Sequence, residues 1–143
     1  PFVRHWMHSA MVAYEGEKMS KSLCNLVFVS DMLKVAASRA IRLALMRHHY
    51  RSGFEWHASE IQEGGALLHR LHAAAQCTPG VDPAPFAQRV RAALDTDLNA
   101  PAALDALDDL ASAILSGGPN AQAPAALREL ADLVGVDLAR PLA

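Results

Sequence analysis

From residue 30 onward, the sequence is divided by proline and glycine into segments whose apolar residues recur every three or four positions. That period places the apolar residues on one side of an α-helix, and such a helix must bury this side against another element. Asn99-Ala100-Pro101 is typical of a helix start, since asparagine caps the first turn and proline is tolerated there. We therefore predict that residues 31–143 form an antiparallel helical bundle.

The same signals predict where the helices begin and end. A first helix is predicted from an N-cap at Ser30 through residues 40–46, ending in the basic run before Gly53. Later helices are predicted over about 59–76, 85–94 and 100–114 and from about 124, with breaks at Thr78-Pro79-Gly80 and Gly117-Gly118-Pro119. We expect the leucine stripes of the last three helices to be core, including Leu127, Leu130, Leu133 and Val134.

The first thirty residues have a different residue pattern from the helical segments. Residues 9–14 mix apolar and small residues in a stretch that could form a short buried strand. A polar segment opened by Gly16 follows over residues 15–22 and is predicted to be a loop.

Composition limits the classes of protein that need to be considered. The chain has 143 residues, of which 52% are hydrophobic and 20% charged, enough to bury a core. The sequence contains neither an uninterrupted apolar run of membrane-spanning length nor a signal-peptide pattern, and its two cysteines are too few for a disulfide framework. A cytoplasmic protein is predicted, and because the sequence begins with Pro1 we expect an internal or C-terminal piece of a longer chain.

Charge is divided unevenly along the chain. Residues 1–79 carry nine Lys and Arg against six Asp and Glu, whereas residues 80–143 carry four Arg against nine acids. Because nucleic-acid affinity comes largely from Lys and Arg that neutralise phosphates, the second half is a poor candidate for a nucleic-acid surface. Chemistry that handles anions is expected near the start.

Lys18-Met19-Ser20-Lys21-Ser22 concentrates ammonium and hydroxyl groups in the polar loop. Such donors suit a triphosphate, because groups aimed at the charge that grows on departing pyrophosphate stabilise the transition state more than the ground state. Two lysines at this spacing usually lie in a solvated charged loop, but the whole pentapeptide is rare by chance.

This pentapeptide resembles the KMSKS signature of the class I aminoacyl-tRNA synthetases and their relatives, which activate an amino acid as its adenylate. Other segments resemble the subgroup that uses cysteine: His5-Trp6-Met7-His8, residues 16–23 with Asn25, His49-Tyr50-Arg51-Ser52, and residues 94–101 with Leu104. The resemblance implies a mainly α chain: residues 1–30 end a Rossmann-type catalytic domain with a short strand and the KMSKS loop, and residues 31–143 form the helical bundle.

Two kinds of enzyme share the cysteine-using pattern: the cysteinyl-tRNA synthetases and the ligases that join cysteine to glucosaminyl-inositol in mycothiol biosynthesis. Residues 25–30 and Phe54-Glu55-Trp56 resemble the ligases. About 120 residues follow the loop, which is short for contacts with a tRNA stem and anticodon. The acidic, lysine-free second half agrees. The resemblance therefore favours the ligases, with glucosaminyl-inositol rather than tRNA as the acceptor.

The resemblance also implies roles for individual residues. Lys21 would contact the triphosphate and stabilise charge as pyrophosphate leaves, and Lys18 would assist or hold the loop closed. Met19, Ser20 and Ser22 would complete the nucleotide-binding loop, the two serines as hydrogen-bond donors to phosphate or loop backbone. Val12, with Met11 beside it, would hold adenine through main-chain groups, although an apolar residue in a strand is more often simply core.

The implied reaction joins L-cysteine and ATP, with Mg²⁺, into cysteinyl-adenylate and then transfers cysteine to the amine of glucosaminyl-inositol, releasing AMP. The HIGH-type ATP motif and the Zn²⁺ ligands of the family would lie upstream of Pro1. We therefore expect this chain to be inactive alone and to belong to a monomeric enzyme that contacts no membrane. The alternatives are part of a cysteinyl-tRNA synthetase and a noncatalytic helical module that binds a partner.

Two further features concern cysteine and histidine. Position 24 is Cys24 where the family has glycine, and glycine after such a loop usually serves a backbone conformation that other residues adopt with strain. The pairs His5 with His8 and His69 with His72 stand three residues apart, but they lack cysteine or carboxylate partners at ligand spacing. No metal ligand is predicted within the chain.

Overall fold

The computed structural model describes residues 2–78 and 80–142, and over these ranges the chain is mainly helical with one small sheet. The strands are β1 (Val12–Tyr14), β2 (Glu17–Lys18) and β3 (Phe54–Glu55). The helices are α1 (Val29–Met32), α2 (Ser38–Met46), α3 (Ser59–Ala75), α4 (Ala84–Asp95), α5 (Ala100–Leu115) and α6 (Ala123–Leu133). The mainly α fold class is confirmed.

The sheet has the strand order β2-β1-β3, with β2 antiparallel and β3 parallel to β1. Glu15 and Gly16 turn the chain between β1 and β2 with φ of 54° and 77°, the two positive angles of a type I′ hairpin turn. The predicted strand is confirmed but shorter than expected. The segment predicted as a loop contains β2, and β3 was not predicted.

The predicted single helix over residues 30–46 is wrong, because the chain forms α1 and α2 with a break at Ala37, whose backbone is extended. Met32 packs in one cluster with Ile41, Ala44 and Trp56. In one continuous helix Met32 and Ile41 would lie roughly 180° apart, so the break is what lets them share a cluster. Ser30 lies inside α1 and is not its N-cap; that position is Phe28.

The remaining helices follow the predicted bounds closely. Asn99 caps α5, its side chain accepting a hydrogen bond from the Ala102 N–H at 3.1 Å. Pro79, part of the predicted break after α3, lies outside the described residues. A larger cluster of buried residues draws members from all five helices α2, α3, α4, α5 and α6 and is dominated by leucine and alanine. Its fully buried members include Leu43, Leu71, Leu107, Leu110 and Leu127.

Leu133 is the exception to the predicted core stripe on α6, since its side chain is exposed. Leu127, Leu130 and Val134 are buried, and Leu133 lies roughly 120° around the helix from Leu127. The adjacent Val134, which follows α6, fills the inward position instead. No helix in residues 2–78 or 80–142 combines the length and apolarity needed to cross a membrane.

Candidate functional site

The KMSKS-like segment begins on β2 and continues into a tightly hydrogen-bonded turn. The Ser20 Oγ and Ser22 Oγ atoms lie 3.1 Å apart, and Ser20 Oγ accepts a hydrogen bond from the Leu23 N–H at 3.2 Å. The Cys24 N–H donates to the Lys21 carbonyl at 3.2 Å. Residues 18–25 thus form one compact loop, which we call the signature loop.

Lys18 and Lys21 both lie on the surface of the signature loop. Among the residues that the structure describes, neither lysine forms an ion pair with a carboxylate. The loop places both side chains and both serine hydroxyls within five consecutive positions. An arrangement of this kind offers ammonium groups and small donors to an anion from solvent.

Of the two residues predicted to lie beside adenine, Met11 and Val12, it is Val12 that is joined directly to the signature loop. The Met19 N–H donates to the Val12 carbonyl at 3.3 Å. The Val12 side chain is half-buried against the cluster that contains Trp56, whereas the Met11 side chain is 56% exposed. The Val12 side chain therefore packs in the core, and its carbonyl already has a partner.

Cys24 adopts a left-handed backbone, with φ of 52°. Glycine adopts this conformation without strain, whereas for a residue with a Cβ atom the conformation is higher in energy. The structure thus gives the physical reason why glycine is the residue expected there. The position therefore has the unusual backbone conformation that the sequence indicated, whereas strain at Cys24 stays a prediction.

Asn25 is a loop residue whose role the sequence did not reveal. Its Oδ1 atom accepts a hydrogen bond from the Ser20 N–H at 2.8 Å, and its Nδ2 atom donates to the Lys18 carbonyl at 3.3 Å. One side chain therefore bridges two points of the signature loop. No periodicity or spacing could have shown this, because the contact depends on the fold of the loop.

A second group of polar residues joins two segments that are far apart in sequence. Arg51 binds both carboxylate oxygens of Asp97, at 2.6 and 3.0 Å, and the Tyr50 hydroxyl donates to the same carboxylate at 2.6 Å. The hydrogen bonds from Arg51 and then Tyr50 lower the pKa of Asp97 to about 2. His49 Nε2 also donates to the Asp97 carbonyl at 3.1 Å.

This second group also contacts the strand side of the molecule, since the Ala10 N–H donates to the Tyr50 carbonyl at 2.7 Å. A cavity of about 350 Å³ lies beside it, and its lining includes Ser9, Val12 and Leu98. The segment before β1, the turn after α2 and the turn between α4 and α5 therefore meet at one place.

The described residues contain no group of three histidine, cysteine, aspartate or glutamate side chains that could hold a metal ion. A second cavity of about 350 Å³ borders the signature loop and is lined by Lys21, Cys24, Leu26 and Phe28. This part of the loop therefore joins an ammonium group to an apolar surface.

Comparison with known proteins identifies relatives of both halves of the chain. Residues 1–65 match the family model described as tRNA synthetases class I (C) catalytic domain. A ligase of Thermobifida fusca is 47% identical over 143 residues, covering 98% of this chain and 35% of the relative. A ligase of Thermobispora bispora is 48% identical over 139 residues, covering 96% of this chain and 34% of the relative.

Both relatives are named L-cysteine:1D-myo-inositol 2-amino-2-deoxy-alpha-D-glucopyranoside ligase, as is one from Streptosporangium roseum that is 44% identical over 140 residues. The chain spans about a third of the length of these curated relatives. It is similar to them over nearly all of its own length, and its residues 1–65 match the model of the class I (C) synthetase catalytic domain.

Proposed function

We propose that this chain is part of an ATP-dependent ligase that activates L-cysteine as cysteinyl-adenylate and transfers it to the amine of glucosaminyl-inositol. The similarity to ligases with this substrate name, over 96–98% of the chain, is the observation that carries the proposal. The signature loop adds the chemical element that such a reaction needs, which is a cationic, donor-rich segment for a triphosphate.

The proposed reaction has two steps. A carboxylate oxygen of cysteine attacks the α-phosphorus of ATP, and the bond to the bridging oxygen breaks so that pyrophosphate leaves with the negative charge. The amine of glucosaminyl-inositol then attacks the cysteinyl carbonyl carbon, loses a proton and forms an amide as AMP leaves. Charge thus develops first on pyrophosphate, where a lysine ammonium group lowers the barrier most.

In this proposal, Lys21 stabilises the leaving pyrophosphate, and Lys18 assists it or keeps the loop closed. Both side chains are exposed and reach a ligand without first breaking an ion pair to a described residue. Ser20 and Ser22 each carry a hydroxyl that can turn from its neighbour to phosphate, at the cost of one 3.1 Å contact. Val12 lies next to the loop, but its carbonyl already accepts from the Met19 N–H, so an adenine contact in the segment of Met11 and Val12 would have to use other main-chain groups.

The proposal assigns Zn²⁺ to residues outside this chain, where the resemblance to the family places the zinc ligands. Mg²⁺ would enter with ATP. What this chain's own residues contribute is the binding and neutralisation of phosphate by the signature loop. The helical bundle supports that loop through α2 and α3, whose residues pack beneath the sheet.

The test uses a polypeptide of the relatives' full length that contains this chain. We expect cysteine-dependent exchange of pyrophosphate into ATP, followed by AMP release and amide formation when glucosaminyl-inositol is added. A parallel reaction receives cysteine tRNA as the acceptor. Transfer to tRNA alone would replace the ligase by a synthetase, and a lack of exchange with cysteine would contradict the activation step itself.

A further inference from the structure

The contacts of Asn25 point to a role that neither the family match nor the relatives' names assign. Its amide bonds the signature loop in two places, to the Ser20 N–H at 2.8 Å and to the Lys18 carbonyl at 3.3 Å. The two bonded groups flank Met19, at the centre of the lysine-bearing segment. The side chain is half-buried, so the bond from the Ser20 N–H is partly shielded from water, whereas the bond to the Lys18 carbonyl is exposed.

We call these two hydrogen bonds the Asn25 clamp. The path of the chain between Lys21 and Asn25 makes this clamp possible. The Cys24 N–H closes a turn on the Lys21 carbonyl at 3.2 Å, and Cys24 then takes a left-handed conformation with φ of 52°. A left-handed residue at the end of a turn reverses the chain direction, and here the next residue is Asn25. The left-handed conformation of Cys24 therefore places the side-chain amide of Asn25 next to the start of the signature loop.

We infer that Asn25 is a positioning residue that holds the backbone carrying Lys18 and Lys21 in the conformation that receives a triphosphate. This inference rests on the proposed function. A loop that is already ordered loses less conformational entropy when it binds than a loop that must order itself. Asn25 touches no phosphate in this role; it acts through Lys18 and Ser20.

The first experiment measures the binding of inorganic triphosphate to a polypeptide of the relatives' full length that contains this chain, by titration calorimetry or NMR. Replacing Asn25→Ala should weaken the affinity by about 3- to 10-fold, the cost of ordering a loop that the clamp no longer holds. Asn99→Ala is the matched control, because Asn99 also accepts a backbone hydrogen bond but caps α5. Asn99→Ala should lower the melting temperature and leave triphosphate affinity unchanged.

The second experiment measures hydrogen exchange at the Ser20 amide without ligand. We expect Asn25→Ala to speed this exchange at least several-fold and Asn99→Ala to leave it unchanged. Equal triphosphate affinity of wild type and Asn25→Ala would overturn the positioning role while leaving the proposed function intact. If wild type does not respond to triphosphate but Asn25→Ala still speeds exchange, the proposed role of the loop fails and the positioning role fails with it.

Discussion

The Arg51 guanidinium grips the Asp97 carboxylate with two parallel hydrogen bonds, of 2.6 and 3.0 Å, across 46 positions of sequence. This geometry matches the fork of the arginine to both oxygens of the acid, the strongest arrangement for such a pair. Asp97 and its neighbour Leu98 both have left-handed backbones, with φ of 53° and 51°. The ion pair therefore holds a strained turn between α4 and α5 against the turn that follows α2.

The contact between these two turns, which we call the Asp97 junction, should weaken in acid because the Asp97 carboxylate becomes protonated. Arg51 and Tyr50 lower the pKa of Asp97 from 3.8 to about 2 in the folded chain. The stabilisation is therefore complete above about pH 4 and is lost as the pH falls towards 2, where the folded carboxylate takes up a proton. Between those pH values the melting temperature of Asp97→Asn should fall less steeply than that of wild type.

The control for this measurement is Asp105→Asn, on the exposed side of α5. Its melting temperature should follow the wild-type pH dependence between pH 2 and 4. Identical profiles for wild type and Asp97→Asn would show that the Asp97 junction does not contribute to acid sensitivity.

Helices whose ends are marked by capping residues, proline or glycine could be predicted from the sequence. Asn99-Ala100-Pro101 begins α5 as expected, because capping and the first-turn proline are properties of adjacent residues. The leucine spacing likewise predicts which sides of α3, α5 and α6 are buried. Leu133 shows the limit of that spacing, because the helix ends there and Val134 takes the inward position.

Features that depend on distant contacts could not be predicted. β3 has only two residues and pairs with β1 from about 40 positions away, so no local pattern marks it. The break at Ala37 places Met32 and Ile41 in one cluster, and that arrangement depends on tertiary packing rather than on neighbouring residues. In the candidate site the lysines and serines are visible as a motif, whereas the Asn25 clamp depends on the three-dimensional path of the loop.

Gly64 should be the residue of α3 that tolerates a side chain least. A Cβ atom there would lie 2.3 Å from the Ala40 carbonyl oxygen and 2.9 Å from the Ala44 nitrogen, both backbone atoms of α2. Because α2 and α3 would have to separate, Gly64→Ala should lower the free energy of unfolding by about 2 kcal/mol. Chemical denaturation monitored by circular dichroism measures this change.

The neighbouring Gly65 provides the matched control, because a Cβ atom there meets nothing within 4 Å. Gly65→Ala should raise the free energy of unfolding by up to about 1 kcal/mol, since alanine is the better helix former. Equal effects at the two positions would show that helix propensity, rather than the close approach of α2 and α3, decides the outcome.

Replacing Cys24 with glycine should stabilise the chain. The left-handed backbone at φ of 52° costs a residue with a Cβ atom more than it costs glycine. Part of the gain is offset because glycine also makes the unfolded chain more flexible, so we expect about 0.5–1 kcal/mol from denaturant unfolding. Cys24→Ala retains the strain and should show no gain. A gain in the alanine variant would mean that loss of the thiol, and not relief of strain, explains the effect.

The two lysines of the signature loop should differ from other lysines in their effect on adenylate formation. In a polypeptide of the relatives' full length, Lys21→Ala should slow cysteine-dependent pyrophosphate exchange by roughly 10²-fold or more, because it removes a cation from the leaving group. Lys18→Ala should slow it as well, through weaker binding or closure of the loop. Lys34→Ala is the control, since Lys34 is exposed and pairs with Asp31 at 2.6 Å. An unchanged exchange rate in Lys21→Ala, or equal losses in Lys21→Ala and Lys34→Ala, would remove the assigned role and leave the loop as a charged surface segment.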